Sequence, residues 1–321
     1  MDWTKIRRQV PAADRPRGAY ANLDDLIRIR DKARDFSFRP QQPVTSVLSG
    51  RYASRLRGRG LNFEELRRYL PGDDVRSMDW KVTARTRTPH VRVFTEEKER
   101  AVLLVVDQRL NMFFGTRERM KSVTAAELAA LAAWRTLDVG DRVGAVIFND
   151  SEVVDIRPQR SQQCVMSILN SVVRMNHSLR LKAGTLSDPG RLNEALTSAV
   201  RLAPHDVLVV VISDFFGADE KTDRLTSQLA AHNDVLGLLV HDPVRLEPVA
   251  HSINVSDGER QMPLNLANPK VRALIATDYR EEQLRIARHL RRLSAPLLLV
   301  STEGDTVDQV RRLLGVPARV A

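Results

Sequence analysis

The feature that most constrains this chain is a rhythm that begins at Ala101. The run Ala101-Val-Leu-Leu-Val-Val106 holds no polar position and ends at Asp107. Its length and pattern are those of a strand buried on both faces. Helical and strand-like segments then alternate. A long Ala- and Leu-rich helix covers Arg119–Leu137. A hairpin follows, with Arg142–Phe148 and Glu152–Ile156 turned at Asn149-Asp150. Helices over Gln162–Asn176, Arg191–Leu202 and Lys221–Ala231 accompany strands over Asp206–Ile212 and Val235–Val240. A long helix over Val271–Leu293, a strand over Leu297–Val300 and a closing helix near Thr306–Leu314 complete the order. This predicts an α/β fold, a doubly wound, mostly parallel sheet with one antiparallel edge strand, over residues 101–315.

The residues ahead of it differ in character. Residues 1–100 hold 23 Lys and Arg against 14 Asp and Glu, so nearly all of the net charge of +10 lies there. We read residues 1–21 as a leader and residues 22–100 as a smaller basic N-terminal region, with a helix from Asn22 to about Phe36. Within that region Arg51, Arg55, Arg57 and Arg59 stand among glycines. They make a candidate contact for a polyanion. Only Tyr52 accompanies them, which disfavours stacking on single strands, so nucleic acid is the alternative partner class.

The stretch Tyr69-Leu-Pro-Gly-Asp-Asp-Val-Arg-Ser-Met-Asp-Trp-Lys-Val-Thr-Ala-Arg85 joins this region to the sheet. With the strand ending at Asp107, it resembles the bacterial family known as domain of unknown function 58 (DUF 58). That family couples a Y-x-P-G-D-D-x-R-x-x-D-W-x-x-x-A-R box to a von Willebrand A-like domain. The box here is Tyr69, Pro71, Gly72, Asp73, Asp74, Arg76, Asp79, Trp80 and Arg85. Pro71-Gly72 signals a turn, with Asp73 and Asp74 able to bond backbone N–H groups behind it. Arg76, Asp79, Lys81, Arg85 and Arg87 alternate in sign and can form an ion-pair network. Three roles stay open for the box. It can be a latch to the sheet with Trp80 as its apolar anchor, a surface for a partner, or a carboxylate pair for catalysis.

Ligands of open α/β sheets bind beyond the carboxyl ends of the strands, where the strand order reverses. The segments expected there are Asp107–Met112, Gly184-Thr185 and Ser213-Asp214. The resemblance implies a divalent-cation site of the pattern D-x-S-x-S, Thr and Asp, usually filled by magnesium. Asp107, Thr185 and Asp214 match it; Arg109 and Asn111 replace the two serines. Arg109 brings only donors and a permanent charge. We therefore expect a degenerate site in which Arg109 neutralises Asp107 and Asp214 and magnesium binds at low affinity or not at all.

Cys164 has no companion for a disulfide or a metal site. No phosphate-binding loop, H-E-x-x-H, C-x-x-C or G-x-S-x-G is present. No apolar run approaches the length of a bilayer span, and the N-terminus lacks an export signal's apolar region. These points favour a cytoplasmic protein that is not an enzyme. The resemblance implies a MoxR-type AAA+ ATPase and other von Willebrand A-like proteins as partners, and through them a place at the inner membrane. A metal-dependent hydrolase at Asp107 and Asp214 is the third reading.

Overall fold

The structure, a computed structural model, describes residues 18–33, 61–70, 73–96, 101–179, 187–243, 252–256 and 261–314. The chain divides into two compact units. One joins residues 1–51 to residues 100–321; the other is residues 52–99.

The larger unit opens with helix α1 (Leu23–Lys32), capped by the Asn22 side chain, which accepts from the Asp24 N–H. The smaller unit holds strand β1 (Leu61–Arg68), the short helix α2 (Trp80–Thr86) and strand β2 (His90–Glu96). The chain then returns to the larger unit as strand β3 (Ala101–Asp107). Helix α3 (Lys121–Asp138), strand β4 (Arg142–Phe148), strand β5 (Val153–Gln159), helix α4 (Gln162–Ser178), helix α5 (Gly190–Leu202) and strand β6 (Val207–Ser213) follow. Helix α6 (Glu220–His232), strand β7 (Asp234–His241), strand β8 (Ser252–Ser256), strand β9 (Gln261–Asn265), helix α7 (Pro269–Arg292), strand β10 (Leu297–Ser301) and helix α8 (Thr306–Leu313) complete it.

Six strands form one sheet in the order β10-β7-β6-β3-β4-β5. All neighbours are parallel except β5, which runs antiparallel to β4 at the edge. This is the doubly wound, mostly parallel sheet with one antiparallel edge strand expected from the sequence. The chain leaves β3 for one side of the sheet and returns at β6 to build the other, so the order reverses between β3 and β6.

Strand β3 shows how the pattern becomes a core. Every residue in it is buried. Val102, Leu104 and Val106 join an apolar layer containing Leu26, Leu128, Leu131, Trp134, Ile168, Leu169 and Val310. Leu103 and Val105 enter the opposite layer with Leu192, Leu196, Leu229, Ile286 and Leu290. A period of two on a pleated strand sends alternate side chains to opposite faces, which is why both faces demand helices. Each large side chain so buried contributes roughly 1.5–3 kcal/mol.

Two features depart from the expected organisation. Helix α1 lies on the sheet unit rather than with the basic region: Leu26 is 1% exposed, and the indole N–H of Trp134 donates to its carbonyl at 3.1 Å. The smaller unit is thus residues 52–99, not 22–100. The hairpins β1–β2 and β8–β9 were not anticipated. Their strands read Leu-Asn-Phe-Glu-Glu-Leu-Arg-Arg and Gln-Met-Pro-Leu-Asn, where charge, amide and proline obscure the alternation that marks a strand.

Candidate functional site

The reversal between β3 and β6 brings Asp107 and Asp214 to one sheet edge, each extending a buried strand. Asp107 is completely buried and its carboxylate is fully engaged. Arg109 grips it with Nε at 3.1 Å and Nη2 at 2.8 Å, and the Arg109 N–H adds a bond to Oδ1 at 3.0 Å. Ser213 Oγ donates to Oδ2 at 2.7 Å. Both side chains of the pair are 0% exposed.

Arg109 does more than neutralise one carboxylate. Its Nη1 donates to the Asp188 carbonyl at 3.2 Å and its Nη2 to the Phe216 carbonyl at 3.1 Å. Its guanidinium lies 5.5 Å from the Phe148 ring centre. One planar fork therefore ties the turn after β3 to the loops before α5 and after β6, which an ammonium cannot do. Burial opposes its charge, and the Asp107 carboxylate outweighs that, raising the guanidinium pKa above its ordinary value.

Asp214 is held separately. Lys121 Nζ makes a short contact to Oδ2, Asn111 Nδ2 donates to Oδ1 at 2.7 Å, and the Phe216 N–H donates to Oδ1 at 3.0 Å. Burial pushes this carboxyl up, but the Lys121 ammonium overrides it and holds the group at about 2. The tight turn behind it puts Phe215 in the left-handed region at φ 58°. Such a conformation is costly for a non-glycine residue, and here it delivers the Phe216 N–H to Asp214 and the Phe216 carbonyl to Arg109.

The Asp214 carboxylate also helps to raise the Arg109 pKa, but the hydrogen bonds divide the two acids between two cations. The Arg109 fork is used up on Asp107 and two carbonyls, and Lys121 serves Asp214. Asp150, in the β4–β5 turn, also belongs to the network. Its Oδ2 accepts from the Leu110 N–H at 2.6 Å, and its Oδ1 from the Asp188 N–H at 2.8 Å. Ser187 Oγ lies 2.7 Å from Asn111 Oδ1 and 3.0 Å from Asp150 Oδ1. Gln108 turns the other way, donating to the Ser122 carbonyl at 2.9 Å and accepting from Asn176 at 3.0 Å. Lys121 and Asp150 were missed in the sequence. A lysine opening an otherwise apolar helix was the available signal, because cations are disfavoured at helix N-termini.

Thr185 lies outside the described residues, as do Gly184, Pro71, Gly72 and the arginines at 51, 55, 57 and 59. Among the described residues no group of three or more His, Cys, Asp or Glu side chains is placed to hold a metal ion. A hard cation needs open oxygen ligands, whereas Asp107 and Asp214 direct theirs at Arg109 and Lys121.

Within the smaller unit the acids of the box are engaged locally. Asp73 makes the bidentate pair, with Arg67 at 2.7 and 2.8 Å, and also accepts from the Leu70 N–H. These bonds, Arg67's first, hold its carboxyl below the usual range. Asp74 caps the single turn Val75–Ser77. Asp79 is 7% exposed and caps α2, accepting from the Val82 N–H at 3.0 Å. Its own N–H donates to the His90 carbonyl of β2. Trp80, the first residue of α2, is 69% exposed. The expected burial is thus reversed, because the capping bonds fix Asp79 inward and turn the next side chain out. Tyr69 is half-buried; Arg76 and Arg85 are exposed.

Residues 65–285 match the family described as "Protein of unknown function DUF58". The chain belongs to that family. Relatives similar to it include the uncharacterized proteins Rv1480 of Mycobacterium tuberculosis and Mb1516 of Mycobacterium bovis. Each is 29% identical over 315 residues, covering 98% of this chain and 97% of the relative. Among solved structures, the conserved hypothetical protein BatB from Bacteroides thetaiotaomicron aligns with a TM-score of 0.38 and 16% identity. That alignment covers 67% of this chain and 97% of BatB. A von Willebrand factor type A protein from Catenulispora acidiphila aligns with a TM-score of 0.36 and 12% identity, covering 70% of this chain and 43% of that one. Among the described residues no helix is long and apolar enough to cross a membrane.

Proposed function

We propose that this DUF58 chain is a non-enzymatic adaptor whose sheet edge is a protein-interaction surface, working with a MoxR-type AAA+ ATPase in maturing or assembling other proteins. The observation that carries the reading is that both edge carboxylates are held by cations of the chain itself, Arg109 and Lys121. A hydrolase would need an open metal position or a general base within reach of substrate. An adaptor needs loops held in a fixed shape, and the Arg109 fork and the Asp150 bonds fix three of them. Phe216, 39% exposed, presents an apolar side chain there. The ATPase, further von Willebrand A-like partners and a cytoplasmic place beside the inner membrane rest on the family resemblance. In this reading magnesium binds at low affinity at most.

The test is capture of the purified MoxR-type ATPase of the same host by the full-length chain, with nucleotide varied. Binding should depend on the nucleotide state and weaken roughly tenfold or more in Phe216→Glu. Failure to bind in every nucleotide state, or magnesium-dependent hydrolysis abolished by Asp107→Asn, would overturn the reading.

A further inference from the structure

We propose that the exposed face of the Tyr69–Arg87 box is a docking surface for an acidic linear peptide of a partner protein, one in which carboxylates are interspersed with apolar side chains. This surface is distinct from the sheet edge and does not depend on the reading given above.

Three large apolar side chains of the box face solvent: Leu70 at 59%, Val75 at 57% and Trp80 at 69% exposure. Single exposed apolar residues are ordinary, but a tryptophan at this exposure within a short stretch that also exposes leucine and valine is what interaction sites use. Tryptophan is the residue most enriched where binding energy concentrates.

The charges say what kind of partner fits. Arg76, Lys81, Arg85 and Arg87 are all exposed, and none has a carboxylate within ion-pair distance among the described residues. The acids of the same stretch are engaged inside the unit. Asp73 is paired with Arg67, Asp79 is buried as a helix cap, and Asp74 caps the Val75–Ser77 turn. The box is mixed in sequence, but its exposed side chains combine four cations with three large apolar groups. Lys81 and Arg85 also stand at i and i+4 on α2, a like-charge pair that destabilises a helix. A partner's carboxylate between them would remove that cost. Long-range attraction from the four cations would steer the peptide, and burial of Trp80, Leu70 and Val75 would retain it. Nucleic acid fits less well, since Leu70 and Val75 offer no π-face for a base.

Random linear peptides displayed on phage, selected on the full-length protein, test the proposal. Enriched peptides should be acidic and carry aromatic or aliphatic residues. Synthesised with a fluorescent label, they should bind roughly tenfold or more weakly to Trp80→Ser and to Lys81→Glu/Arg85→Glu. Peptides whose carboxylates are replaced by lysine should bind the charge-reversed variant better than wild type, a gain that an unfolded variant cannot give. The proposal is overturned by failure to enrich acidic peptides, by affinity that survives Trp80→Ser, or by tighter Trp80-dependent binding to a single-stranded oligonucleotide or to phosphatidylserine vesicles.

Discussion

Lys121, the first residue of α3, places its ammonium against the carboxylate of Asp214, just beyond the end of β6, and both side chains are almost wholly buried. A cation is disfavoured at a helix N-terminus, where the backbone dipoles already concentrate positive charge. Asp214 offsets both that repulsion and the loss of water around the lysine. Neither residue is tolerable in this place without the other.

Lys121→Met should therefore destabilise the protein by about 3–5 kcal/mol, because it strands a buried carboxylate. The double variant Lys121→Met/Asp214→Leu should recover most of that loss, since an apolar pair can replace a buried ion pair nearly neutrally. Urea unfolding of the wild type, both single variants and the double variant measures the coupling. Additive effects of the two single substitutions would mean the pair is not energetically linked.

Acid should expose the same pair. The Asp214 carboxyl lies at about 2 in the folded protein against an ordinary 3.8. Its contribution is thus complete above the ordinary value and is lost as pH falls from about 4 through about 2. The amount is on the order of 2 kcal/mol. Asp219, capping α6, is also lowered to about 2, by the bond from the Thr222 backbone first, so the wild-type acid limb alone does not isolate Asp214. Lys121→Met/Asp214→Leu should show a shallower fall in its urea midpoint over that interval than wild type.

Calorimetric titration with magnesium should give no binding to the wild type below millimolar concentrations. Arg109→Ser/Asn111→Ser restores the serine pattern but should still not bind, because Lys121 continues to hold Asp214. Adding Lys121→Ala should create the affinity. Micromolar binding by the wild type, abolished in Asp214→Ala, would restore a working metal site.

Arg109→Lys keeps the charge and removes the fork. The partly buried carbonyls of Asp188 and Phe216 then lose their donor, a loss of roughly 0.5–1.5 kcal/mol per bond. Amide hydrogen exchange at residues 187–190 and 215–217 should speed up together, while the N–H groups of β3 remain protected. Exchange confined to one of the two loops would show that Arg109 does not join them.

The sheet was legible because its central strands are apolar almost without interruption and its helices carry a clear stripe; Ala101–Val106 and Val207–Ile212 leave little choice. Asp107 and Asp214 could be placed together because strands that bracket the reversal must end side by side. Lys121 could not, since it meets Asp214 across 93 positions and only the way α3 begins brings it there. Asp150 was visible as a turn residue but not as a partner of Leu110 and Asp188. Trp80 was misread because a tryptophan beside an aspartate suggests an anchor. Which of two neighbours points inward is decided by the bonds Asp79 makes to Val82 and His90, and composition does not record those.

Helix α1 has a consequence for how the protein is made. The Leu26 carbonyl and the Trp134 indole that donates to it are 108 positions apart. During synthesis α1 emerges first and has no α3 to lie on until the whole smaller unit and β3 have followed. Closing a loop of that length costs about 4 kcal/mol in chain entropy. A gene fragment begun near residue 100, where the charge distribution invites a cut, would leave Trp134 without its acceptor and the face of α3 bare.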